Sequence, residues 1–343
     1  MSLFGTLGID VAFRPGAAAD VRITAPRSAP TTQLLCGCTP AEMANRARLL
    51  FALCGNAHAT AAISAAEAAI QSMPSPQTRR ARLQLVAAEA LREHFFRFAV
   101  DWPAFMSEPP LTRALHRAAE LVAQIKARMG SRLYWTGIEA QAMPHGDLGV
   151  LLARFVLSEV FGDADAPMED RTAIEAWTRK SATPAARLLA QAHQDGALPV
   201  FQFPEQTVFG RWRNDPRLKG SEAAQRVLAR LLEIDALGRG LASENDCEGA
   251  CRLTVSVNDD DSQSASAAID VARGRLHHHI EVEDGKVTHC SILSPTGRNF
   301  EQGGAAEQAI CRIRTASRTS FERQARLLVM EIDPCVTYEL RFH

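Results

Sequence analysis

An α+β fold with a mainly helical body is what this 343-residue sequence predicts, on three observations. From about residue 39 to 237, apolar residues recur at helical spacing between cap and stop signals. Runs of two-residue alternation flank that body, near the N-terminus and around residues 252–294, and mark small antiparallel sheets. The 46% hydrophobic and 22% charged content supports a packed core large enough for one domain over 1–343.

Residues 3–25 form a strand pair around the turn signal Arg14-Pro15-Gly16, and a Pro/Ser/Thr-rich loop runs on to about Thr32. Thr39-Pro40-Ala41-Glu42 then carries a full helix start: a capping hydroxyl, Pro at the first helical position and Glu closing a capping box. The Ala-rich run Met43 to Ile70 continues as helix, with Gly55 as a candidate break. Further helices are predicted at about 78–98, 112–129, 146–160, 168–178, 184–195 and 221–237. Gly130 and Gly196 serve as stops, and Thr183-Pro184 repeats the cap-then-Pro pattern. From Arg252 the texture changes to a β-containing portion, about 252–300. RLTVSV is a strand, NDDDSQSAS a solvated loop, and LHHHIEVEDGKVTHCSIL a hairpin turning at Asp284-Gly285. A last helix, Phe321 to Ile332, leads into a closing cysteine segment that completes 321–343.

The charge balance, 38 basic against 39 acidic residues, gives no bulk electrostatic claim on nucleic acid or an anionic membrane. The opening residues lack the basic-then-apolar pattern of a secretion signal, and no run approaches the roughly 20 apolar residues of a membrane helix. Eight Cys in so long a chain are too sparse for a disulfide scaffold. A cytoplasmic, thiol-reducing setting is the expectation.

Among the thiols, Cys54-Gly55-Asn56-Ala57-His58 is the strongest candidate, because an unbroken helix would put Cys54 and His58 on one face. A thiolate and an imidazole can ligate a soft or borderline metal, or the imidazole can orient the thiol. The plainer alternative is a buried Cys acting as a small hydrophobe beside a core His. Cys36-Gly37-Cys38 is too tightly spaced for a zinc knuckle and has no second CxxC. Cys247 and Cys251 flank an acidic loop as ordinary thiols. In a strand, His277 and His279 face one way and His278 the other, with core or solvent roles as the default.

Four stretches together resemble the large subunit of nickel-iron hydrogenases, and in particular its shorter, degenerate relatives, the HupK/HoxV-type maturation proteins. They are VAFRPGAAADVRI, GCTPAEMANRARLLFALCGNAHATAAISAAEAA, DVARGRLHHHIEVEDGKVTHCSILSPTGRNF and EIDPCVTYELRFH. The resemblance implies a hydrogenase-large-subunit-like domain. It also exposes two departures. Cys54 and His58 hold the second-Cys and His positions of the first metal motif, while Phe51 stands where its first Cys belongs. Cys335 holds the first Cys of the closing motif, but Tyr338 replaces the second and Arg341 the His, with His343 two residues late.

Four cage thiolates are thus reduced to two, which removes the coordinative basis for nickel. The resemblance therefore implies no hydrogen turnover, no enzyme and no nickel. It implies a transient scaffold for the iron half of the cofactor, an Fe(CN)2CO group, held by Cys54 and Cys335. Arg273 would reach the cyanides, with His58 and Thr296 as supporting contacts. The group would come from a HypC/HypD-type chaperone complex and pass to the large-subunit precursor. The alternative is a metal-free assembly chaperone that mimics the large subunit. Thiol redox chemistry at Cys54 activated by His58 ranks below both.

Overall fold

The computed structural model describes residues 5–25, 31–137, 148–164, 166–194, 205–243, 251–258 and 263–343. Strands β1 (Leu7–Ala12) and β2 (Asp20–Thr24) pair antiparallel as expected. A third strand, β7 (Tyr338–Phe342), lies parallel on the other side of β1, with Asp10 opposite Arg341. In the sequence the residues after Cys335 resemble a metal motif, whereas YELRF forms a strand.

The capping box forms as predicted at helix α1 (Pro40–Leu50): Glu42 N donates to Thr39 Oγ1 and Thr39 N to Glu42 Oε2. The helical run then breaks at 51–54 and restarts as α2 (Gly55–Ala69). Gly55 is needed there because a Cβ would come within 2.4 Å of the Arg48 carbonyl oxygen. Every residue of α2 is buried, and its Ala-rich surface lets sheet strands and α1 approach closely.

The body continues with α3 (Pro76–Phe96), a π-helical turn at Arg97–Asp101 and the short α4 (Trp102–Phe105). Then come α5 (Thr112–Met129), α6 (Leu148–Phe161), α7 (Arg171–Lys180), α8 (Pro184–Gln194), α9 (Val208–Trp212) and α10 (Glu222–Ala242). Gly130 ends α5 at φ +71°, as a helix stop should. The expected stop at Gly196 lies outside the described residues. Helix α10 is buried along most of its length and packs on α3, α6 and α8.

The second sheet has the order β3-β4-β5-β6: β3 (Leu253–Val257), β4 (Ser264–Val271), β5 (Gly274–Glu283) and β6 (Lys286–Leu293). Asp284 and Gly285 take positive φ in the β5–β6 turn, as the sequence signalled. The loop expected over 258–266 is shorter than anticipated. Ser264 to Ser266 already belong to β4, because their small side chains fit a strand packed on α2. Short helices α11 (Pro295–Asn299) and α12 (Ala305–Cys311) lead to α13 (Arg318–Ile332), which packs on α10. No helix among the described residues is long and apolar enough to cross a membrane.

Candidate functional site

Cys54 and Cys335, 281 positions apart in the sequence, line one cavity of about 30 Å³ together with His58, Arg273, Thr296 and Glu93. Each arrives there for a local reason. The break between α1 and α2 makes Cys54 the residue before the first turn of α2, at φ −131°, so it does not share a continuous helix with His58. His58 N still donates to the Cys54 carbonyl at 3.0 Å, which fixes the two one turn apart. Buried Glu89 of α3 accepts from the N–H groups of Asn56 and Ala57 and so caps α2 from outside.

Cys335 follows an unusual exit from α13. Asp333 ends that helix in the left-handed region at φ 64° and is 1% exposed. Its carboxylate meets Arg97 at 2.7 Å, Arg273 at 3.2 Å and Arg230 at 3.4 Å. Oδ1, the atom facing Arg97 and Arg273, makes no well-aligned hydrogen bond, so charge more than geometry holds the cluster. Two residues later, Cys335 N donates to Thr296 Oγ1 at 3.0 Å. Thr296 therefore positions the Cys335 backbone, a more specific job than the sequence suggested.

The Arg-Gly and Pro-Thr-Gly-Arg-Asn stretches explain each other. Asn299 clamps the Gln206 backbone, accepting from its N–H at 3.1 Å and donating to its carbonyl at 2.9 Å. That carbonyl then lies only 1.6 Å from where a Cβ on Gly274 would sit, and Gly274 itself has φ +139°, so only glycine fits. The tight turn sends the preceding Arg273 inward, where it is 5% exposed. It is neither a strand residue nor a surface ion pair. Its Nη2 donates to Glu93 at 3.1 Å, and its Nε faces Asp333. The expected guanidinium aimed at a cargo is thus also a buried link between α3 and the closing segment.

Electrostatics follow burial. Burial raises the Cys54 thiol well above its ordinary pKa, and neighbouring Cys335 adds to the rise while Arg273 opposes it. Burial works against the Arg273 charge, but Asp333 and Glu93 outweigh it and raise its pKa. Asp333 is pushed up by burial, yet Arg273, Arg97 and Arg230 hold it at about 2.

His58 departs from expectation. Its Nδ1 lies 3.0 Å from His278 Nε2, and its ring stacks on Phe51 at 3.7 Å between centroids. Burial keeps both imidazoles neutral, lowering His58 well below its ordinary range and His278 to about 3. The alternation of the His277–His279 run did place His278 alone on the inner face. What it did not signal was His58 as the partner.

The two substituted positions lie off the cavity wall. Phe51 serves as a stacking partner, and Tyr338 belongs to β7, near Arg97 and Asp101. Arg341 pairs with Asp10 and Glu339, and His343 with Asp10, all on the exposed N-terminal sheet. The other described thiols lie outside this cavity wall, and Cys290 neighbours Cys36 and Cys38. Cys36 and Cys38 contact the carbonyls of Thr32 and Leu35, Cys251 is buried, and Cys247 lies outside the described residues. No group of three or more His, Cys, Asp or Glu converges in metal-holding geometry among the described residues. Glu93, Glu89 and Asp333 escaped sequence reasoning, since single acids give no spacing signal.

The full length of the chain has counterparts among proteins of hydrogenase formation. "Hydrogenase expression/formation protein HupK" of Bradyrhizobium diazoefficiens is 28% identical over 339 residues, spanning 94% of this chain and 93% of its own. HupK of Azotobacter vinelandii is 26% identical over 98% of both chains. HoxV of Cupriavidus necator is 25% identical over 85% of both.

The chain is a homologue of the HupK, HupV and HoxV proteins.

Its fold is that of the nickel-iron hydrogenase large subunit. The reduced Ni-Fe-Se hydrogenase of D. vulgaris Hildenborough superposes with a TM-score of 0.62 at 14% identity, covering 94% of each chain. An NAD+-reducing [NiFe]-hydrogenase gives 0.52 at 16% identity over 93% of each. No protein-family model matches the sequence.

Proposed function

We infer that the chain acts in hydrogenase maturation as a large-subunit-like scaffold and not as an enzyme. The observation that carries this reading is the pairing of end-to-end homology to hydrogenase formation proteins with a large-subunit fold in which two of four cage positions are Phe51 and Tyr338. A phenyl ring and a neutral phenol are not thiolates, so no nickel site is assigned. The scaffold's partners are the large-subunit precursor and a HypC/HypD-type chaperone complex, which it engages because its body has the large subunit's shape. The test is titration of the purified chain with each partner by calorimetry. Binding that persists in the Cys54→Ala, Cys335→Ala double variant is expected. Absence of binding to both partners refutes the reading.

A second reading, transient carriage of an Fe(CN)2CO group as cargo, is favoured by one observation: Cys54, Cys335 and Arg273 face the same cavity. Two sulfurs can supply soft donors, and a guanidinium suits cyanide nitrogens through charge-assisted hydrogen bonds. At about 30 Å³ the cavity has room for roughly one or two water molecules, so accepting a metal with three diatomic ligands requires its walls to move apart. Infrared bands of metal-bound CO and CN in protein purified with its maturation partners support carriage. Their persistence in the double Cys variant excludes these two ligands.

A further inference from the structure

We propose that the cationic, leucine-bearing rim beside the two-thiol cavity is a docking surface for an acidic protein partner with an apolar contact at its centre. This rests on the maturation reading and names the chemistry of one of its partners.

Two leucines stand out at this rim. Leu49, in the last turn of α1, is 77% exposed, and Leu53, in the α1–α2 break, is 42% exposed while also lining the cavity. Neither is needed to fill the core, and exposed apolar side chains beside a site mark a contact surface.

The charges around them are cationic on the outside. Arg48 is half-buried next to the exposed Leu49. Arg92 of α3 donates to the Leu53 carbonyl at 3.3 Å, and Lys126 of α5 stands 3.9 Å from Glu89. Arg48 and Arg92 both lie close enough to Lys126 to add to the lowering of its pKa that burial begins, against Glu89. The local carboxylates lie buried beneath these cations, Glu93 paired with Arg92 and Glu89 facing Lys126. Glu89 and Glu93 have side chains only 3% and 8% exposed, committed to the α2 amides and to Arg273. Of these side chains the cations are the more exposed, Arg92 at 23% and Lys126 at 34%, although the whole chain carries a net charge of −1.

Charge complementarity selects an acidic occupant, and the leucines select one with apolar side chains at the middle of its face. Because Leu53 belongs to both the rim and the cavity wall, an occupant seated here covers the opening beside Cys54.

The test uses the intact chain, with a HypC/HypD-type chaperone complex as the probe. The variant is Arg48→Glu with Leu49→Asp, both outside the cavity wall. Leu151→Asp, at a 47% exposed position on α6, is the control. Affinity is expected to fall at least about tenfold in the variant and to stay within about twofold in the control. Raising salt is expected to weaken the parent complex more than the variant complex. Equal binding by parent and variant overturns the proposal while leaving the maturation reading intact. No binding by the parent overturns both. Rim-dependent self-association, or rim-dependent binding to anionic phosphatidylserine vesicles without chaperone binding, assigns the surface to a different occupant and also overturns it.

Discussion

Replacing Asp333 by Asn removes one charge from the junction that joins the closing segment to the helical body, and the chain conformation can survive the change. Asn tolerates the left-handed backbone that Asp333 adopts at φ 64°, so the substitution isolates electrostatics from strain. Three arginines converge on this carboxylate at 2.7, 3.2 and 3.4 Å, and it is 1% exposed. The interval between its ordinary 3.8 and about 2 corresponds to roughly 2 kcal/mol. Asn also leaves buried guanidinium groups short of a counter-charge, and breaking a buried pair costs about 3–5 kcal/mol. Because the folded carboxyl is depressed, its contribution is fully present above the ordinary 3.8 and is lost as pH falls through about 2. Urea unfolding at pH 7 is expected to place Asp333→Asn about 3–5 kcal/mol below the parent, with the gap closing as pH drops from 4 toward 2. A loss under about 1 kcal/mol at pH 7, or a gap that does not depend on pH, would refute the account of Asp333 as a charge hub.

Two further outcomes follow from the same geometry. Thr296→Val deletes the acceptor for Cys335 N–H and should lower stability by about 1 kcal/mol while speeding exchange of the Cys335 amide; Thr296→Ser should restore protection, and unchanged exchange in the Val variant would disprove the contact. His278 is held neutral with a pKa of about 3, far below its ordinary 6.5, so the protein should lose stability as pH falls from 6.5 toward 3. In His278→Gln that acid-side loss should be smaller, read as thermal unfolding at pH 7.5 and pH 5; equal slopes would count against a buried neutral pair.

Helix starts were the most legible part of the fold, because caps are local chemistry. Thr39, Glu42 and Pro40 act as their order in the sequence requires. The β5–β6 hairpin was equally legible from Asp284-Gly285. Strand β7 was not, since its pairing partner β1 lies at the other end of the sequence and the segment's alternation was overshadowed by a metal motif. At the site, the residues carried by motifs, Cys54, Cys335, His58, Arg273 and Thr296, do line one cavity. Their partners were hidden for a physical reason. Glu93, Asp333 and His278 matter through contacts spanning 180, 60 and 220 positions, in the Arg273–Glu93, Arg273–Asp333 and His58–His278 pairs. Local periodicity carries no record of such distances.

The parallel pairing of β7 with β1 has a kinetic meaning. Arg341 and Asp10 are 331 positions apart, and the cavity needs both Cys54 and Cys335 in place. Contacts of such high contact order meet a large loop-closure entropy and form slowly relative to the local helices. The helical body can therefore condense while the two sulfurs are still apart, and newly made protein should pass through a stage that has most of its bulk and none of its thiol cavity.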